Sequence, residues 1–135
     1  MLDKGRVATR LPVKDLPRAR AFYTDKLGLE ASEEGPGGLL YRCAAGEFAL
    51  YESSGTPSGS HTRMAWDVDD IEATVAELRK RGVAFEAYNL PGSKIENGIT
   101  DVVGNYPSKG GKAERAVWFR DSEGNLLGIG QAVGS

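Results

Sequence analysis

A chain of 135 residues, 40% apolar and 27% charged, has the size and composition of one folded domain rather than of a disordered or fibrous chain. Seventeen basic residues against nineteen acidic ones leave a net charge of −2, without the basic stripe that nucleic acid requires. No run of about 18 apolar residues offers a membrane span, and the opening MLDKGRVATR lacks the apolar centre of a secretory signal.

Residues 6–13 (RVATRLPV) alternate, with Val7, Thr9, Leu11 and Val13 on one face and Ala8 and Arg10 on the other, which predicts a strand. Asp15 is placed to cap a helix that tolerates Pro17 in its first turn. Leu16, Ala19, Phe22, Tyr23 and Leu27 form its apolar stripe, and Gly28 is the expected left-handed stop. A further strand is expected around Leu29–Glu34. The run 41–50 then reads as a strand, a glycine turn and a second strand. Cys43 lies in that apolar run and is expected as a buried thiol; as a lone cysteine it fits a reducing, cytoplasmic setting.

The second half repeats the first. Residues 62–68 (TRMAWDV) alternate, and Asp69 with Glu72 has the spacing of a capping box. Ile71, Val75 and Leu78 form a second stripe, Gly82 stops the helix, and a strand follows at Val83–Tyr88. The basic run Arg79-Lys80-Arg81 suits the helix's C-terminal carbonyls. Asn89–Gly111 is rich in glycine, proline and asparagine and is expected as a long, partly ordered loop over a groove mouth; the alternative is a surface connection with a short edge strand near Ile99–Val103. Phe119–Gly128 closes this half as 41–50 closes the first.

The expected fold is therefore α+β: one domain over 1–135, built of two tandem βαβββ modules (about 5–53 and 62–133) joined by the Gly/Ser/Pro-rich 54–61. Two such modules can form a curved mixed sheet around a cleft.

Two stretches point to a family. Val13-Lys14-Asp15-Leu16 with Phe22-Tyr23 and Leu27-Gly28-Leu29 resembles the V-x-D-L…F-Y…L-G opening of the vicinal oxygen chelate superfamily. Phe119-Arg120-Asp121-Ser122-Glu123-Gly124-Asn125 resembles its F-x-D-P-x-G-N hairpin, with Ser122 in place of proline. The superfamily includes glyoxalase I, extradiol dioxygenases, fosfomycin-resistance enzymes and bleomycin-binding proteins. In its metal-dependent members the first and last strands of each half supply ligands to one divalent ion, a Lewis acid for neighbouring substrate oxygens. By resemblance those positions fall here at Ala8, Arg63, Gly128 and either Leu50 or Tyr51. None is His, Glu, Asp or Gln: alanine, leucine and glycine side chains donate no lone pair, and Arg63 adds a fixed positive charge. The single histidine, His61, excludes a two-His-one-carboxylate triad within one subunit; a rebuilt site could use His61 with Glu52, the nearest carboxylate on the other half, but a joint histidine facing water is the favoured reading.

The expectation is a protein without metal or other cofactor that binds a small organic molecule in the cleft, either as a sequestering protein of the bleomycin-resistance type or as a glyoxalase-like enzyme. The alternative is a divalent-metal lyase of the glyoxalase I kind or an extradiol dioxygenase. Candidate ligand-binding residues are Arg10, Tyr51, Glu52, Arg63, Asp67 and Trp118; catalytic residues are unassigned. Arg63 can hold a carboxylate, phosphate or enolate oxygen, or neutralise itself against Asp67 or Glu52. Tyr51, Trp118 and Phe119 divide between core and cleft, core being the commoner fate of each. Neither a phosphate-cradling glycine motif nor a serine-hydrolase elbow is present. Family habit implies a homodimer, while charge and the absence of a long apolar run lead us to expect no nucleic-acid or membrane partner.

Overall fold

In the computed structural model, which describes residues 1–4, 6–54, 59, 61–88 and 93–133, Asp15 begins the first helix as its side chain predicts. Its backbone is extended and its carboxylate accepts from the Arg18 N–H at 3.0 Å, satisfying one of the helix's orphan donors. The elements of the first half are β1 (Thr9–Val13), α1 (Leu16–Asp25), β2 (Glu33–Gly35), β3 (Gly38–Arg42) and β4 (Glu47–Glu52). Those of the second are β5 (Met64–Asp67), α2 (Ile71–Lys80), β6 (Phe85–Glu86), β7 (Ile95–Glu96), β8 (Ile99–Val103), β9 (Ala113–Arg120) and β10 (Leu126–Val133). Short 3₁₀ turns occupy Leu2–Lys4 and Pro107–Lys109. The α+β class is therefore observed, and no described helix is long and apolar enough to cross a membrane.

Chain contacts divide the molecule into two compact units, 1–59 with 122–125 and 60–121 with 126–135. In the first, a four-stranded sheet runs β1-β4-β3-β2, with β1 parallel to β4 and the other pairs antiparallel. Alternation sends Leu11, Val13, Leu39, Tyr41, Phe48 and Leu50 to one face, where all are buried with Ala19 and Tyr23 of α1. Tyr41 stacks on Phe48 at 5.0 Å between ring centres, and Tyr23 lies 5.6 and 5.8 Å from the two. Each such ring contributes about 2–3 kcal/mol through removal from water. Gly28, at φ +70°, ends α1 in the left-handed region, and the Leu29 N–H returns to the Tyr23 carbonyl.

The 122–125 turn closes the other end of α1. Glu123 accepts from the backbone N–H groups of Lys14 and Asp15 at 3.0 and 2.9 Å, and Arg18 grips both its oxygens at 2.7 and 3.0 Å. The Ser122 hydroxyl adds a bond at 2.9 Å, while the Asn125 amide donates to the Pro12 carbonyl at 2.9 Å. The side chain of Glu123 is 1% exposed, so these partners replace its lost water. The motif read from sequence as a turn is thus also a helix cap.

In the second unit the order is β5-β10-β9-β8-β7, with β6 also on β9. Ile71, Val75 and Leu78 of α2 are buried with Val117, Phe119, Leu127 and Ile129, and Trp66 and Phe85 flank the Phe119 ring. The cap is Asp70 rather than the expected Asp69: Asp70 has the extended backbone and accepts from the Ala73 N–H at 3.0 Å. Asp69 lies one residue outside, and Glu72 turns to Arg115 instead of closing a box.

Other expectations are revised. The first strand starts at Thr9, leaving Val7 95% exposed, and the second module's first strand starts at Met64. Cys43 is half-buried, because β3 ends at Arg42 and Cys43 enters the turn to Gly46. The basic run does sit at the C-terminal turn of α2, as expected, but its side chains also reach elsewhere: Arg79 donates to the Asn97 carbonyl at 2.9 Å and Arg81 pairs with Glu77. The largest change lies in 89–111. Residues 89–92 are outside the described set, but β7 and β8 are a hairpin within the sheet, β8 pairing with β9 over Thr100–Val103. Asn97 and Gly98 form its two-residue turn, both at positive φ (55° and 78°), which only such residues adopt cheaply. Ile99 and Thr100 are buried, so this stretch is wall rather than lid. Most of the joint 54–61 is also outside the described residues.

The Arg18 hydrogen bond foremost, with the N–H groups and Ser122 hydroxyl, holds the Glu123 carboxyl at about 2 against the opposing push of burial. A carboxyl lowered in the folded state stabilises the fold fully above about 4.5, its ordinary value, and progressively less as pH falls toward 2. The gap corresponds to about 3 kcal/mol. Urea denaturation of Glu123→Gln should therefore show a loss of about 2 kcal/mol at pH 7 that shrinks at pH 3. An equal deficit at both pH values would remove the ionised cap as its cause.

Candidate functional site

The face of the first sheet turned away from α1 carries the other half of the alternation. Arg10 pairs with Ala49 and Pro12 with Tyr51 across β1 and β4; Tyr51 and Ala49 pair with Gly38 and Leu40 of β3. Here the sheet floors an open concavity of about 430 Å³, lined among others by Ala8, Arg10, Leu40, Ala49 and Tyr51. Tyr51 is 39% exposed. Glu33, Glu34 and Glu47 also reach the lining. Each has a partner: Arg42 binds Glu33 at 2.5 Å and Glu47 at 3.2 Å, and Arg20 binds Glu34 at 2.5 Å.

Two candidates are thus brought together here, Arg10 and Tyr51. Glu52 follows Tyr51 at the end of β4 and is exposed, but alternation turns it away from that pair and it does not line the concavity. His61 is exposed, as a joint histidine should be.

The helix caps Asp15 and Asp70 set the two halves in register, so that Ala8 corresponds to Arg63 and Arg10 to Ala65. Ala65 pairs with Gly128, and Arg10 pairs with Ala49. The counterpart of Gly128 is therefore Ala49, and neither Leu50 nor Tyr51. Leu50 is fully buried on the helix side. The four positions that resemblance assigns to metal ligands are then Ala8, Ala49, Arg63 and Gly128. Three present no lone pair beyond the backbone, and the fourth is a cation, so these side chains do not fit a divalent ion. Among the described residues no group of three or more His, Cys, Asp or Glu converges elsewhere.

The open face of the second sheet is aromatic. Trp118 pairs with Gly128 across β9 and β10, and a Cβ built on Gly128 would lie 3.5 Å from both Ala65 Cβ and Trp118 Cδ1. Tyr88 meets the indole edge-on at 5.2 Å, and its hydroxyl donates to Glu86 at 2.6 Å. Arg120 donates to the other Glu86 oxygen at 2.8 Å. Phe119, by contrast, is fully buried in the core. Arg63 is exposed just before β5, its backbone N–H held by the Leu126 carbonyl at 2.8 Å. Asp67 pairs with Lys109, not with Arg63. Sequence reading missed Tyr88, Glu86 and Arg120; the i, i+2 spacings Glu86/Tyr88 and Trp118/Arg120 were the available signal.

The sequence profile of the Glyoxalase/Bleomycin resistance protein/Dioxygenase superfamily matches residues 5–129. Among solved structures, a glyoxalase/bleomycin resistance protein/dioxygenase from Alicyclobacillus acidocaldarius is similar with a TM-score of 0.68 and 16% identity, over 96% of this chain and 92% of that one. Lactoylglutathione lyase from Agrobacterium tumefaciens is similar with a TM-score of 0.62 and 21% identity, over 95% and 93%. An antibiotic-binding protein from a Streptomyces strain is similar with a TM-score of 0.61 and 25% identity, over 93% of each chain. No curated protein matches.

The Glu86 hydrogen bond, then burial, raises the Tyr88 phenol above its ordinary value, with Arg120 opposing. In spectrophotometric titration, Glu86→Gln should shift one tyrosine to lower pH, and Tyr88→Phe should abolish that difference. Identical curves for the parent and Glu86→Gln proteins would refute the coupling.

Proposed function

Because the chain belongs to the Glyoxalase/Bleomycin resistance protein/Dioxygenase superfamily, we propose that it is a member working without metal, which binds a small organic molecule on the open sheet face of its first unit. One observation carries this reading: the concavity of about 430 Å³ is floored by Ala49, at a position where resemblance assigns a metal ligand. A methyl group there makes room for ligand carbon and offers nothing to a cation. Tyr51 supplies an amphipathic ring and Arg10 a fork of donors at the same rim.

Binding in such a site holds the molecule by burial of its apolar surface and by a few directed polar contacts. Without a Lewis acid at these positions, sequestration is the activity that the residues support. The similarity to an antibiotic-binding protein agrees with that choice, as a likeness of fold. The same reading places the protein in a reducing cytoplasmic compartment, supported by the lone Cys43, and as a homodimer, supported by family habit.

Equilibration with Zn²⁺, Ni²⁺, Mn²⁺ or Fe²⁺ followed by metal counting should give well under one ion per chain. A thermal-shift screen of aromatic acids, thiols and glycopeptides should give saturable stabilisation that a chelator leaves intact. Tight stoichiometric metal, or ligand binding that the chelator abolishes, would overturn the metal-free reading.

A further inference from the structure

We propose that the concavity on the first sheet selects a monoanionic organic acid, with Arg10 as the residue that recognises its carboxylate; this rests on the small-molecule reading above. The charged lining residues are Arg10, Glu33, Glu34 and Glu47. All three carboxylates are committed: Glu33 and Glu47 pair with Arg42 on the sheet, while Glu34, cross-strand partner of Leu39, turns to Arg20 of α1. Arg10 is different. It is exposed on β1, and among the described residues its guanidinium makes no hydrogen bond, ion pair or ring contact. The site therefore holds one cation whose donors are all available.

A guanidinium presents parallel N–H groups that match the two oxygens of a carboxylate, at about twice the strength of neutral hydrogen bonds. The charge count decides between anions. On this face Arg10 and Arg42 balance Glu33 and Glu47, so a monoanion leaves the neighbourhood one charge negative and a dianion two. Two carboxylates on the same face, Glu33 and Glu47, thus disfavour a phosphate dianion. Beyond the guanidinium the wall turns apolar: Ala49, Leu40 and the ring of Tyr51 suit a flat hydrocarbon body. An aromatic monocarboxylate meets all three conditions.

The test titrates the full-length protein calorimetrically with benzoate, benzamide and phenyl phosphate, which share a ring and differ in charge. Benzoate should bind at least about tenfold more tightly than either. Arg10→Gln should erase the benzoate advantage by weakening benzoate at least about tenfold more than benzamide, while Arg10→Lys, which keeps the charge but not the fork, should retain part of it. Arg10 is exposed, so the circular dichroism of each variant should match the parent. Equal binding of benzoate and benzamide, tighter binding of phenyl phosphate, or unchanged benzoate binding by Arg10→Gln would overturn the carboxylate inference and leave the small-molecule reading standing. Absence of saturable binding for all three probes and for the thermal-shift screen would sink both.

Discussion

The carboxylate of Glu123 is the constraint on which the first unit turns. A buried carboxylate must have its lost hydration replaced, and here the N–H groups of Lys14 and Asp15 and the guanidinium of Arg18 do so together. These donors straddle the junction between β1 and α1. Holding them fixes where the helix begins and which side of the sheet it covers. The covered side takes Leu11, Val13, Phe48 and Leu50. The uncovered side, with Arg10, Ala49 and Tyr51, follows from the same geometry. A structural cap thus determines which residues are free to meet a ligand.

The two sheets use their uncovered sides differently. On the first, Glu33 and Glu47 are neutralised by Arg42, and Arg10 has no such partner among the described residues. On the second, Trp118 and Tyr88 form an aromatic corner, and the charges of Glu86 and Arg120 satisfy one another. Glycine at 128 and alanine at 65 keep that surface low. Family membership is compatible with either chemistry, because the fold supplies the strands and the side chains supply the function.

Much of the fold was legible because its signals are local. Asp15, Gly28 and Gly82 each act within a few residues of themselves, and the two stripes of α1 and α2 repeat at helical spacing. Asp69 and Asp70 are adjacent and chemically identical, so the second cap was misplaced by one residue; backbone conformation decides between them. Asn97-Gly98 was a hairpin signal read as loop punctuation, since the strands beside it are short and β7 is charged. The role of Glu123 could not be read, because its partners lie more than a hundred positions away. Likewise, choosing Ala49 over Leu50 or Tyr51 required knowing which residue of β4 lies beside Arg10. Of the candidate site, Arg10 follows from alternation out of the resemblance-assigned Ala8, the face of Tyr51 needed the register of β4, and the company kept by Asp67 depended on a distant lysine.

The outer border of the second sheet carries its own consequence. Among the described residues β7 is the last strand of that sheet, and it is only Ile95–Glu96, preceded by Lys94. A stray strand approaching there finds two residues of unpaired backbone and a charge on either side of one isoleucine. So brief a template gives amyloid-like stacking little purchase, and the hairpin that widens the sheet also shields it from polymerising with its own kind.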